Sequence, residues 1–95
     1  MLSIDQATTI ARSIISHQET IIGPLAQEQA KKVDGIHVSI DGSVTIQSKN
    51  IVRILENLVN SYQHIFGQAS VEACKDAVKE TQLSLSPSDL PEILR

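Results

Sequence analysis

The sequence predicts a mostly helical α+β domain whose elements follow the order α-α-β-β-α-α, with one antiparallel β-hairpin packed on the helices. Apolar residues recur at helical spacing on both sides of a short central stretch, and within that stretch they alternate with polar residues around a turn signal. The length of 95 residues supports one hydrophobic core. We therefore expect a single domain over residues 1–82. The Pro- and Ser-containing segment 83–95 is expected to form a short turn or helix that is either docked on the domain or flexible.

The first two helices are predicted from a start signal and an interruption. Ser3 and Gln6 match the capping-box pattern, in which each residue satisfies the backbone N–H of the other, so a helix should begin at about Ile4. Pro24 lacks the N–H that an unbroken helix needs. We expect a second helix from Pro24 to about Val33, with one continuous kinked helix as the alternative.

The next stretch predicts a hairpin closed at an Asp-Gly turn. A two-residue turn would place the apolar residues of the two strands on opposite faces, whereas an odd-numbered loop places them on one face. We predict an odd loop, such as residues 41–43. That loop pairs Ile40 with Val44 and Val38 with Ile46, which gives the hairpin one apolar face.

Two further helices are predicted after the hairpin. Ser48 is a suitable N-cap for a central helix whose broad apolar stripe runs from Ile51 to Phe66, and Gly67 marks its end. Another helix is expected from about Ala69 to Thr81. Its predicted buried residues are small, and they comprise Ala73, Cys74, Ala77 and Val78.

Composition restricts the classes of function. Tyr62 and Phe66 are the only aromatic residues, and the formal net charge is -3, so the stacking surfaces and clustered cations of nucleic-acid binding are not expected. Cys74 is the only cysteine and cannot form an intrachain disulfide, which favours a reducing compartment. No apolar run is long enough to suggest a membrane span. We therefore expect a cytoplasmic protein without a nucleic-acid or membrane partner.

The residue types that carry chemistry do not fall into a recognisable motif. His17, His37, His64 and Cys74 could ligate a metal, but none lies at the spacing of a known metal motif. Cys74 lies on a predicted apolar face, where a buried and unreactive thiol is expected. The acidic side chains are spread along helix exteriors, and the four glycines are isolated. We expect no catalytic residue, no cofactor and no metal, so the chain is not expected to be an enzyme.

Apolar surface on the hairpin and on the C-terminal segment is the remaining feature that suggests a function. The hairpin edge and the apolar C-terminal segment would leave aliphatic side chains available to a partner, by strand addition or by association with a second copy. The candidate interaction surface consists of Ile36, Val38, Ile40, Val44, Ile46, Leu90, Ile93 and Leu94.

One segment is similar to a known element. Ile21-Ile22-Gly23-Pro24-Leu25-Ala26 resembles an I-G-P-[IL]-A element near the C-termini of bacterial serine/threonine kinases and multidomain sensor proteins, in a small uncharacterised helical module. The resemblance covers about residues 8 to 34. The resemblance implies that this chain is a stand-alone bacterial relative of a regulatory module, and it assigns no catalytic role to any residue of the chain.

These observations predict a noncatalytic protein-interaction or regulatory domain whose partner is another protein or a second copy, as in a homodimer. The alternative is a small DNA-binding transcriptional regulator with a helix-turn-helix around Gly67. The helix after that turn carries Glu72, Asp76 and Glu80 against two lysines, and this charge balance does not favour contact with phosphates.

Overall fold

The computed structural model describes residues 2–47 and 49–95, and it confirms the mostly helical α+β fold and the predicted order of elements. The helices are α1 (Ile4–Ile22), α2 (Leu25–Lys31), α3 (Ile51–Phe66) and α4 (Gln68–Glu80). The strands β1 (Ile36–Val38) and β2 (Val44–Ile46) form the hairpin. Two 3₁₀ turns follow at Pro87–Asp89 and Glu92–Leu94.

Helix α1 begins at Ile4, where the capping box predicts. The Gln6 backbone N–H donates to the Ser3 hydroxyl, and the Ser3 backbone N–H donates to the Gln6 side-chain oxygen, both at 3.0 Å. The helix ends before Gly23, whose φ of +66° lies in the region that favours glycine. The local signals at both ends therefore determine its length.

The break between α1 and α2 is confirmed, but the bounds of α2 differ from the expected ones. Pro24 caps the helix, which starts at Leu25 and ends at Lys31, before the expected end at Val33. Helix α2 is therefore a short element of 7 residues that closes one side of the core.

The hairpin confirms the single apolar face but not the predicted pairing. Ile36 pairs with Ile46 and Val38 pairs with Val44, so the loop covers residues 39–43. The pairing of Ile40 with Val44 and of Val38 with Ile46 was wrong, because a larger odd loop keeps the same faces. The Ser39 N–H donates to the Ser43 carbonyl at 2.8 Å and closes this loop.

Helices α3 and α4 are separated only by Gly67, whose φ is +76°. Val52 and Ile65, which the sequence assigned to the apolar stripe of α3, are exposed because they lie on its flanks. The expected N-cap Ser48 lies outside the described residues. Helix α4 begins one residue earlier than expected, at Gln68, and ends at Glu80.

The core lies between the helices and the inner face of the hairpin. Helix α1 packs against α2, α4 and β2, while α3 packs against α2 and α4. Strand β1 packs against α2. The hairpin therefore covers the α1–α2 side of the core.

The C-terminal segment lies against α3 and α4. Leu90, Pro91 and Leu94 are buried there. The Arg95 Nε donates to the carbonyl oxygens of Pro87 and Leu90 at 2.9 and 3.2 Å. Apolar burial on α3 and α4 holds the segment against the core, and these two hydrogen bonds link its last residue to the preceding turn.

Candidate functional site

The predicted interaction surface is divided between two parts of the fold, and most of its side chains belong to the core. Six of them are at most 9% exposed: Ile36, Val38, Val44, Ile46, Leu90 and Leu94. Ile93 is partly buried against the core, and Ile40 is fully exposed. The hairpin and the C-terminal segment bury their apolar faces on helices of the same chain. The six buried side chains are therefore mostly occupied by contacts within the chain.

A groove between α4 and the C-terminal segment has a volume of about 460 Å³, and we call it the α4 groove. This volume lies in the range of roughly 300–1,000 Å³ that is typical of ligand sites. Its apolar lining consists of Val78, Leu85, Leu90 and Leu94, with Pro87 beside them. Leu90 and Leu94, which the sequence assigned to a surface, thus form part of the floor of a concave site.

The rim of the α4 groove is cationic. The Lys75 Nζ lies 3.6 Å from the Glu72 Oε2, whereas Lys79 makes no ion pair within the described part of the chain. Arg95 is oriented by the two carbonyl contacts of its Nε atom. Three cationic side chains thus face one carboxylate at this groove. The site is locally positive on a chain whose formal net charge is -3.

The loop of the hairpin, residues 39–43, forms a second exposed feature that we call the hairpin tip. Ile40 is 108% exposed there, next to Asp41. The Asp41 Oδ1 accepts hydrogen bonds from the Ser43 N–H at 3.0 Å and from the Ser43 hydroxyl at 2.8 Å. These two bonds lower the pKa of the Asp41 carboxyl, the backbone bond most strongly. The tip therefore presents an aliphatic side chain beside a carboxylate that is charged at neutral pH.

A third exposed group lies at the end of the bundle where the four helices meet. The Tyr62 hydroxyl donates to the Ala26 carbonyl at 2.7 Å and joins α3 to α2, and the Gln18 Nε2 donates to the Ser70 carbonyl at 3.1 Å and joins α1 to α4. Exposed aliphatic side chains near these helix ends are Ile21, Leu25 and Ile65. Ile21 also lines a groove between α1 and α4 that includes the acidic side chains of Asp76 and Glu80.

His17 and Glu80 form a contact that the sequence analysis did not anticipate. The His17 Nε2 lies 2.7 Å from the Glu80 Oε2, and its Nδ1 lies 3.0 Å from the Ser13 carbonyl oxygen. The Ser13 hydroxyl donates instead to the Ala77 carbonyl at 2.8 Å. Both ring nitrogens are thus engaged with acceptors, and this serine hydroxyl is not hydrogen-bonded to the imidazole. The contact joins α1 to the end of α4.

Buried polar groups lie between α1, α3 and α4. Gln18 is completely buried, and besides its bond to Ser70 its Nε2 contacts the Cys74 Sγ at 3.4 Å. Burial raises the pKa of the Cys74 thiol to about 11, and it also raises the pKa of the Tyr62 hydroxyl. The Cys74 thiol is therefore neutral at physiological pH and shielded from solvent, as the sequence predicted for an unreactive core residue.

Within residues 2–47 and 49–95, no three His, Cys, Asp or Glu side chains lie close enough together to hold a metal ion. No helix in the same residues is long and apolar enough to cross a membrane.

Comparison with protein-family models, with curated proteins and with solved structures found no match. The resemblance of residues 8–34 to a bacterial regulatory module therefore stays a prediction. In the fold, the Gly23-Pro24 step of that element forms the break between α1 and α2.

The α4 groove was missed at the level of sequence because its two walls are separate in the chain. Lys75 and Lys79 belong to the helix that follows Gly67, whereas Leu90 and Leu94 belong to the C-terminal segment. The spacing of the two lysines, four residues apart on one helix face, was the available signal. Only the packing of the C-terminal segment on α4 places these groups around one groove.

Proposed function

We propose that this chain is a noncatalytic protein-interaction domain that binds a short segment of a partner protein in the α4 groove. The observation that carries the proposal is the apolar floor with a cationic rim. Burial of an aliphatic side chain on such a floor contributes roughly 25 cal/mol per Å² of apolar surface. Cationic side chains at the rim favour a carboxylate over a neutral or cationic group.

The chemistry of the rim specifies the partner segment further. Lys79 is unpaired within residues 2–47 and 49–95, and Arg95 uses only its Nε atom for the two carbonyl contacts, which leaves the outer guanidinium nitrogens for a ligand. Lys75 partly offsets Glu72. The preferred ligand is therefore a segment in which an aliphatic residue is adjacent to an acidic one.

A protein segment fits this groove better than a nucleic acid does. Nucleic-acid affinity comes mainly from several cations placed along the phosphate backbone. Here the cations are confined to the rim of one groove, and the α1 side of α4 carries Asp76 and Glu80, so the cations do not continue along the helix as an extended phosphate backbone requires. We further propose a regulatory role and a cytoplasmic location, and the support for the location is that Cys74, the single cysteine, is a free thiol.

A peptide library tests this proposal. Random peptides displayed on phage would be selected on the immobilised protein, and the survivors would be tested on Lys79→Glu and on Lys32→Glu. Lys32 is also exposed but lies at the end of α2, outside the groove, so it controls for charge reversal alone.

The expected survivors combine an aliphatic residue with a neighbouring acidic residue, and they bind Lys79→Glu at least about tenfold more weakly than the unaltered protein or Lys32→Glu. Survivors without acidic residues, or survivors that bind all three proteins equally, would contradict the proposed site. Both substituted side chains are exposed, so circular dichroism should show unchanged folding.

A further inference from the structure

We propose that the hairpin tip of one copy of this chain binds in the α4 groove of another copy. This inference rests on the proposed function of the groove, and it names a second copy of the chain as the occupant. The two surfaces are complementary in both apolar character and charge.

The hairpin tip has the chemistry that the groove selects. Ile40 is an aliphatic side chain with no contact to shield it, and Asp41 next to it carries a negative charge. In the groove, the aliphatic floor would receive Ile40. The cationic atoms of Lys79 and Arg95 at the rim would then lie near the Asp41 carboxylate. The adjacent aliphatic and acidic residues thus match the adjacent floor and rim.

The hairpin tip is also ordered before any contact forms. Besides the two hydrogen bonds from Ser43 to Asp41, the Gly42 N–H donates to the Ser39 carbonyl at 2.9 Å. Gly42 has a φ of +87°, and a methyl group added there would lie 3.6 Å from the Gln27 Nε2 of α2. A loop that is already constrained loses less conformational entropy when it binds than a flexible peptide does.

The two surfaces belong to different parts of the molecule. The hairpin packs on α1 and α2, whereas the groove is formed by α4 and the C-terminal segment. Ile40 is fully exposed in its own chain, so it does not occupy the groove of that chain. A hairpin tip that binds in the groove must therefore come from another copy. Because each copy carries one tip and one groove, the contact produces either an open chain of copies or a closed ring, of which a reciprocal dimer is the smallest.

Sedimentation velocity with two complementary variants tests this contact. Ile40→Lys removes the aliphatic group and adds a charge that the rim repels, while Lys79→Glu reverses the charge of the rim. Ile21→Lys and Lys32→Glu are the matched controls, because they make the same changes at exposed positions outside the tip and the groove.

We expect the unaltered protein and both controls to self-associate as the concentration rises to about 1 mM, with Ile40→Lys and Lys79→Glu each monomeric there. An equimolar mixture of these two variants should recover association, since Lys79→Glu keeps an intact tip and Ile40→Lys keeps an intact groove. In the open-chain arrangement this mixture stops at the heterodimer.

Three results would overturn the inference: a monomeric unaltered protein at about 1 mM, self-association of either variant equal to that of the unaltered protein, or a mixture that stays monomeric. The phage-selected peptides separate this inference from the proposed function of the groove. If those peptides bind and lose affinity on Lys79→Glu while the unaltered protein stays monomeric, the groove binds a different protein and the self-docking inference alone fails.

Discussion

Replacement of Gln18 by methionine is expected to stabilise the protein, which is unusual for a substitution in a core. Gln18 is completely buried, and within the described residues its Oε1 atom has no hydrogen-bond partner. An unsatisfied buried acceptor costs about 1–3 kcal/mol. Methionine has a similar shape and no polar atom to leave unpaired.

The expected size follows from the contacts of the amide. The substitution loses the hydrogen bond from the Gln18 Nε2 to the Ser70 carbonyl, which is worth about 1 kcal/mol. Ser70 lies in α4, so its carbonyl keeps the helical bond from the residue four positions later. Removal of the unsatisfied oxygen outweighs this loss, and the net gain should be about 1 kcal/mol in the free energy of unfolding. For a domain of this size, that gain raises the melting temperature by about 4–8 °C.

Urea and thermal unfolding, followed by circular dichroism, measure this change. Gln18→Glu is the informative comparison, because it keeps the shape but introduces a carboxylate whose burial should cost several kcal/mol. A Gln18→Met variant that loses about 1 kcal/mol or more in the free energy of unfolding would show that the amide oxygen is stabilised in the folded protein and is not an unsatisfied acceptor.

Two further predictions concern the core. Burial raises the pKa of the Cys74 thiol to about 11 in the folded protein, against an ordinary value of 9.0. The thiol therefore loses its proton at lower pH in the unfolded chain than in the folded one, and the free energy of unfolding falls as pH rises from 9 to 11. Urea unfolding would measure the decrease in the free energy of unfolding between pH 8 and pH 11, which should be larger by about 2 kcal/mol in the unaltered protein than in Cys74→Ala. Equal decreases in the two proteins would contradict the raised pKa of the Cys74 thiol. Leu94→Ala should cost about 2–4 kcal/mol because Leu94 is buried in the docked C-terminal segment, while Ile93→Ala, at a partly buried position, should cost less than half as much. If urea unfolding shows almost no decrease in the free energy of unfolding for either variant, the C-terminal segment does not dock on the domain in solution.

Local signals predicted most of the fold. The Ser3–Gln6 capping box, the break at Gly23-Pro24 and the glycine at the end of α3 each act within a few residues, so the sequence alone was enough to place them. The pairing of the two hairpin strands, in contrast, is not determined by such local signals. Alternation fixes which face each side chain occupies but leaves the pairing free to shift by two residues, so Ile40 was expected to pair with Val44 and lies in the loop instead.

Features that depend on distant parts of the chain could not be predicted. His17 meets Glu80 only because α1 packs against α4. The same packing brings Gln18 to Cys74, and the docked C-terminal segment brings Leu90 to Lys79 at the α4 groove. The sequence correctly marked several of these residues as apolar or charged, but it contained no signal for which of them would share a site.

Binding of a peptide in the α4 groove can be followed residue by residue with nuclear magnetic resonance. Spectra of ¹⁵N-labelled protein would be recorded with increasing amounts of the synthetic peptide acetyl-Glu-Ile-Asp-Leu-Glu-amide, and with a peptide in which lysines replace the acidic residues. We predict that the acidic peptide shifts the amide signals of α4 near Lys75 and Lys79 and those of residues 85–95, and that the lysine peptide does not. Shifts confined to the helix ends near Ile21 and Ile65, or equal shifts with both peptides, would contradict the claim that the groove recognises an aliphatic and acidic segment.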